Sequence, residues 1–233
     1  PKSGNTWMRS IISALLYSVD GEFNFNLLRK IDQFPEKKYL KYFIKDFSDF
    51  NGIKKNWIVA QDRINLDGKI KLLKTHQGKY TIEGDSFTNN DNTLATIYIV
   101  RDPRNLVQSI SNHYAKSLED SCEFLIEPKI IGNGKNYENK QGGLFTLLGR
   151  WNEHYRSWTT NKNNLLIIKY EDLIKNPRAQ LEKTIDFLKK YLTFETDENK
   201  INKILETTTF DNLKKLEKEG QFNENATNKK DGG

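Results

Sequence analysis

Apolar residues near the start of the chain recur at helical spacing. Met8, Ile11, Ile12, Leu15 and Leu16 fall at i, i+3, i+4, i+7 and i+8, which predicts a helix with one buried face. A second helical pattern follows Pro103, with Leu106, Val107, Ile110 and Tyr114 on one face and the proline suited to the first turn. Leu147, Leu148, Trp151, Tyr155 and Trp158 predict a helix over Phe145 to Trp158, and Leu181, Ile185 and Leu188 predict another that opens at Pro177. Runs of strand character lie between them. Residues 69–76, Lys-Ile-Lys-Leu-Leu-Lys-Thr-His, read as a strand with a polar end. Residues 93–100, Thr-Leu-Ala-Thr-Ile-Tyr-Ile-Val, are β-branched and nearly continuously apolar, the pattern of a buried parallel strand. Asn164 to Leu173 reads as another buried strand running into a polar end. Strands alternating with helices predict a single α/β domain, with a parallel sheet covered by helices on both faces.

The other stretches are less regular. Residues 20–60 hold Phe23, Phe25, Phe34, Tyr39, Tyr42, Phe43, Phe47 and Phe50 among lysines and aspartates. They read either as short helices packed on the sheet or as part of a ligand-pocket wall. Residues 115–142, with Gly132, Gly134 and Gly142, read as a loop or lid. From Gly220 the Asn-, Lys- and Gly-rich composition predicts a disordered tail, so the domain is expected to span residues 1–219.

Composition narrows the function classes. At 233 residues the chain is long enough to bury a substantial core, and its net charge of +6 suits anionic ligands. The lysines are scattered among acids rather than gathered in a stripe, which argues against a nucleic-acid surface. One cysteine, Cys122, excludes an internal disulfide framework and cysteine-based metal clusters. His76, His113 and His154 lack zinc-ligand spacing, and no apolar run is long enough to span a bilayer. The chain opens at Pro1 with neither an initiator methionine nor a strand ahead of its first loop, so a natural N-terminus beyond Pro1 is expected.

That first loop carries the clearest chemistry. In Pro1-Lys2-Ser3-Gly4-Asn5-Thr6-Trp7, Gly4 permits a tight turn, and the N–H groups that open the helix have no intrahelical partners. With the helix dipole, the Lys2 charge and the Thr6 hydroxyl, they make a phosphate seat, and Trp7 offers a flat face to a base. No Gly-Lys-Ser/Thr follows the glycine, so this is not a Walker A loop. The residues equally allow an ordinary loop ahead of a core helix, with Trp7 in the core.

Two further clusters sit at predicted strand ends, where open α/β sheets place their ligands. Lys74 and His76 are two apart and share one side of a strand. Arg101 closes the strand over 93–100, and Ser109 lies two turns into the next helix, so the two could converge on one anion. The alternatives are a structural His76, an Arg101 paired with Asp102, and a Ser109 without a role. His154, on the helix over 145–158, reads as structural.

The Pro-Lys-Ser-Gly-Asn-Thr-Trp string closely resembles the 5'-phosphosulfate loop of the sulfotransferases that use 3'-phosphoadenosine 5'-phosphosulfate (PAPS), with Asn5 where Thr is commoner. Ile97-Tyr98-Ile99-Val100-Arg101-Asp102-Pro103 through Ser109 resembles their 3'-phosphate motif, and Lys74-Thr75-His76 their general-base segment. The resemblance implies a P-loop-like three-layer fold and sulfuryl transfer by in-line displacement to a hydroxyl or amine of a small-molecule or glycan acceptor. It implies His76 as base, Lys74 and Lys2 as charge stabilisers, and a 5'-phosphate seat from Lys2, Ser3, Gly4, Asn5, Thr6 and Trp7. It further implies Arg101 and Ser109 on the 3'-phosphate, and Trp7 stacked on adenine opposite Phe210, with Tyr170 and Thr208 nearby. No metal is implied, the product cofactor is adenosine 3',5'-bisphosphate (PAP), and a cytoplasmic location is expected. Family members continue into an Arg-Lys-Gly…Gly-x-Trp segment over the 3'-phosphate, and this chain ends at Gly233 without it. A P-loop nucleoside-phosphate kinase and a non-catalytic nucleotide-binding module are the alternative readings.

Overall fold

A computed structural model describes residues 2–132 and 144–219. The predicted tail from Gly220 lies outside the described residues, as does most of the glycine-rich part of the predicted lid.

The elements run in the following order. Helix α1 is Asn5–Tyr17, and a 3-10 turn follows over Phe25–Lys30. Strand β1 (Asp32–Gln33) leads to α2 (Lys37–Leu40), α3 (Phe50–Lys55) and α4 (Trp57–Asn65). Strands β2 (Leu73–Lys74), β3 (Thr81–Ile82), β4 (Asp85–Ser86) and β5 (Thr96–Val100) precede α5 (Pro103–Tyr114) and α6 (Leu118–Ile126). Strands β6 (Lys129–Ile131) and β7 (Thr146–Gly149), helix α7 (Trp151–Thr159) and strand β8 (Leu165–Lys169) come next. Helices α8 (Tyr170–Lys175), α9 (Pro177–Leu188), α10 (Glu198–Thr207) and α11 (Phe210–Lys218) close the described chain. The fold is α/β. Strand β1 pairs with β2 in parallel, in the register Asp32↔Leu73 and Gln33↔Lys74. The β3–β4 and β6–β7 ladders are antiparallel, and β5 pairs with β8.

The chain forms two compact units, one from residues up to Ile31, Ile99–Ser121 and the chain from Ile167, the other from Asp32–Tyr98 and Cys122–Leu166. In the first unit α1 is enclosed on every side rather than along one stripe. Met8, Ile11, Ile12 and Leu15 are buried as predicted, but so are Arg9, Ser10 and Ser13, whereas Leu16 is half-buried. The polar residues are accommodated because each finds a main-chain acceptor. Ser10 Oγ donates to Thr6 O, Ser13 Oγ to Ser10 O, and Arg9 Nη2 to both Leu28 O and Ile31 O at 3.3 Å. In the second unit the aromatic stretch builds a core of Phe34, Leu40, Ile53, Trp57 and Ala60 with Phe87, Leu144 and Trp158. The short-helix reading of residues 20–60 therefore holds for most of that stretch.

Several predicted boundaries are corrected. The strand over 69–76 shrinks to Leu73–Lys74, so His76 lies beyond the ladder. Strand β5 begins only at Thr96, and its five residues are half-buried, as suits a strand with a single paired neighbour among the described residues. The predicted lid holds α6 and β6. Ser117 starts α6 by accepting from Asp120 N–H at 3.0 Å, with Glu119 and Asp120 in the acid-favouring first turn. The helix predicted over Phe145–Trp158 is a strand and a helix. Gly149 takes φ +64 between them, and at the start of α7 Arg150 N–H donates to Glu153 Oε2 at 3.0 Å. The strand over Asn164–Leu173 ends at Lys169, and Tyr170 opens a helix instead.

Candidate functional site

The loop before α1 turns as the glycine predicts. Gly4 sits at φ +93 as the N-cap, and the first helical bond is Met8 N–H to Gly4 O at 3.0 Å. The N–H groups of Asn5, Thr6 and Trp7 therefore lie ahead of the ladder, at the end of the helix where the dipole favours negative charge. A second constraint on Gly4 comes from 166 residues further along the chain. A Cβ there would lie 2.6 Å from the Tyr170 ring, so only glycine lets that ring pack on the loop. The Tyr170 ring also stands edge-on to Trp7, with centroids 6.1 Å apart.

Arg101 ties the same corner together. Its Nη1 donates to Lys2 O at 3.2 Å, and its guanidinium stacks over the Tyr170 ring at 4.4 Å. Its Nε is buried and has no hydrogen-bond partner among the described residues. Asp102 is not its partner. That carboxylate caps α5 through Arg104 N–H and pairs with the Arg104 guanidinium, which holds its pKa down at about 2. Pro103 occupies the first turn as predicted. Ser109 is half-buried on α5. One turn on is His113, which the sequence reading had not singled out, and its Nδ1 lies 3.4 Å from Lys2 Nζ. The signal was available, since residues four apart on a helix share a face. Burial lowers the Lys2 pKa, opposed by Glu217 and assisted by Arg101. Burial and the Lys2 charge lower that of His113.

The structure thus brings Lys2, Gly4, Trp7, Arg101 and Tyr170 to one corner. It treats the two remaining predicted adenine residues differently. Thr208 is only 2% exposed, and its hydroxyl donates to Ile204 O at 2.7 Å, closing the end of α10. Thr209 caps α11, and Phe210 is 60% exposed at its start.

Lys74 and His76 belong to the second unit, where the main chain around them is firmly held. Lys74 O accepts from Phe34 N–H at 2.9 Å, beyond the β1–β2 register. His154 Nε2 donates to His76 O at 3.2 Å, and Trp158 Nε1 to Gln77 O at 2.9 Å. Gln77 Oε1 accepts from Leu147 N–H, and Gly78 N–H donates back to Leu147 O. Because a carbonyl can only accept, the proton of neutral His154 sits on Nε2, and Nδ1 then accepts from Tyr98 O–H at 2.9 Å. Burial presses the His154 pKa down to about 4, so the ring is neutral at pH 7. The structural role read for His154 from the sequence has a specific form here, because it holds the carbonyl of His76.

The Sulfotransferase domain family matches residues 1–232. The chain is 25% identical over 226 residues to an amine sulfotransferase of Oryctolagus cuniculus, covering 92% of this chain and 60% of that protein. It is 32% identical over 123 residues to a 3-beta-hydroxysteroid sulfotransferase of Cavia porcellus, covering 52% of this chain and 39% of that one. A luciferin sulfotransferase of Photinus pyralis is 26% identical over 226 residues, with 92% and 55% covered. Among solved structures, mouse sulfotransferase SULT7A1 complexed with PAP superposes with a TM-score of 0.55 at 21% identity, covering 92% of this chain and 63% of that one. Retinol dehydratase in complex with androsterone and inactive cofactor PAP gives 0.52 at 19% identity, with 93% and 64% covered. At these identities the structural likeness is one of fold. This chain spans 60% of the length of the first of these relatives and 63% of the first structure.

Proposed function

Because the chain belongs to the sulfotransferase domain family, we propose that it works in an enzyme that moves a sulfuryl group from PAPS to a hydroxyl or amine of a small-molecule acceptor. The observation that carries this reading is the corner of Lys2, Gly4, Trp7, Arg101 and Tyr170. Its donors suit a nucleotide bearing phosphate groups at two positions. The N–H groups ahead of the α1 ladder and the Lys2 ammonium suit a 5'-phosphosulfate. The buried Arg101 Nε, without a partner among the described residues, is a donor that would suit a 3'-phosphate, and Ser109 on α5 would share that task. Trp7 and Tyr170 would face the adenine, with Phe210 and Thr208 as further candidates for that end of the site.

When bound, PAPS supplies the sulfuryl group and leaves as PAP. The chain's own residues would do the rest by position and charge. His76 would take the acceptor proton, with its main chain fixed by His154. Lys74 would stabilise the charge that grows near the acceptor, and Lys2 the charge on the leaving oxygen. The relatives' names span amines, hydroxysteroids and luciferin. Amines, phenols and hydroxysteroids are therefore the acceptors to try first.

The test is release of PAP from PAPS, followed with and without each acceptor. Acceptor-dependent PAP release with the matching sulfated product is the expected result. Magnesium-dependent ATP turnover in its place would favour the kinase reading and contradict this one.

A further inference from the structure

We propose that His113 is an additional residue of the anion seat, and that its protonation is coupled to anion binding beside Lys2. The inference deepens the seat reading above and rests on it. Lys2 Nζ lies 3.4 Å from His113 Nδ1. An ammonium can only donate, so in this geometry Nδ1 is the acceptor and the ring proton sits on Nε2. His113 follows Ser109 by four residues on α5 and so lies on the same face as a proposed phosphate ligand.

Among the described residues, the charged and titratable groups around His113 lie on four segments. Lys2 lies on the loop and presses directly on the ring. Arg101, at the end of β5, and Glu217, on α11, act on Lys2 with opposite signs. Tyr114, on α5 itself, stands edge-on to the His113 ring at 4.6 Å. With no anion on the seat, burial and the Lys2 charge both disfavour a second cation at His113. An anion reverses that balance. It draws off the Lys2 ammonium and adds attraction where there was repulsion, so the imidazole gains a proton more easily. By reciprocity, a protonated His113 must then hold the anion more tightly. The seat would thus carry one fixed cation in Lys2 and one that charges as pH falls through the usual histidine range.

The experiment compares PAP affinity of the chain and of His113→Gln by calorimetry, at about pH 8 and about pH 5.5. Glutamine keeps an acceptor for Lys2 but cannot take a proton. Titration of the PAP phosphates affects both proteins alike and cancels in the ratio of their dissociation constants. A coupling of about one pK unit moves that ratio by about tenfold between the two pH values, with the unsubstituted chain gaining at low pH. NMR titration of the His113 ring in the unsubstituted chain needs no variant, and PAP should raise its pKa. A flat ratio, or a ring pKa that PAP leaves unchanged, overturns the proposal while leaving the seat intact. If the unsubstituted chain binds no PAP at either pH, the seat reading itself falls, and this inference falls with it.

Discussion

Around Lys2 several polar groups keep binding capacity in reserve, whereas the His154 ring has spent its own. In the first region three N–H groups precede the helix ladder, Arg101 has a buried Nε without a partner among the described residues, and Lys2 shares a hydrogen bond with a half-buried histidine. In the second, both ring nitrogens of His154 are engaged, one by Tyr98 and one by the carbonyl of His76. Both histidines have lowered pKa values, but for different ends. His113 loses charge to burial and to the neighbouring Lys2 cation, and on the proposal above an incoming anion reverses the second effect. His154 loses it mainly to burial, which no ligand reverses. On the proposed reading, the contrast separates a region that responds to a ligand from one that keeps a main chain still.

The most severe test of this contrast is His76→Ala. Losing a general base costs about a hundredfold to ten-thousandfold in turnover. PAP affinity should stay within about twofold, because His76 belongs to the held region and not to the anion seat. Parallel calorimetry and turnover measurements check both halves, and a variant with undiminished turnover would remove His76 from the role of base.

Acid stability sharpens the comparison. His154 has a folded pKa of about 4 against 6.5 for the free side chain. Above that free value both states are neutral and nothing is lost. As pH falls from 6.5 towards 4 the unfolded chain takes a proton that the folded ring refuses, so stability drops by about 3 kcal/mol. Urea unfolding of the chain and of His154→Gln should show a steeper pH dependence for the former. Equal slopes would mean that the ring is not held neutral.

Two smaller effects follow, one on each side of the comparison. Gly4→Ala must place a side chain at φ +93 and displace the Tyr170 ring, which should cost about 1–3 kcal/mol in stability together with loss of PAP binding. Tyr98→Phe removes one hydrogen bond to a buried acceptor and should cost about 1 kcal/mol, with PAP affinity unchanged. Denaturant curves and calorimetry on the two variants would separate the regions, and a Tyr98→Phe protein with weakened PAP binding would blur them.

What the sequence revealed about these regions was local. The turn at Gly4, the helix that follows it, and the helix starts at Pro103 and Pro177 are all fixed by neighbours a few residues away. So are the corrected features, in hindsight. Ser117 with Glu119 and Asp120 is a readable start for α6, and Gly149 breaks the segment that had been predicted as one helix. The contacts that give the site its character are not local. Tyr170 reaches the loop at Gly4, His113 reaches Lys2, and His154 reaches His76 across long stretches of chain. Residue type and spacing cannot report a ring packed against a glycine more than a hundred positions away. They did mark Arg101 as a candidate anion ligand, but not its stacking on Tyr170.

The central claim is that the corner around Lys2 and Arg101 is a seat for a nucleotide with a 3'-phosphate. Its most direct test is calorimetric binding of PAP against ADP, on this chain and on the Arg101→Ala, Ser109→Ala double variant. The account predicts a clear preference for PAP, and a loss of about tenfold to a hundredfold in PAP affinity, with ADP little affected, when the two side chains are removed. Equal affinity for PAP and ADP, or PAP binding that survives the double substitution, would contradict it.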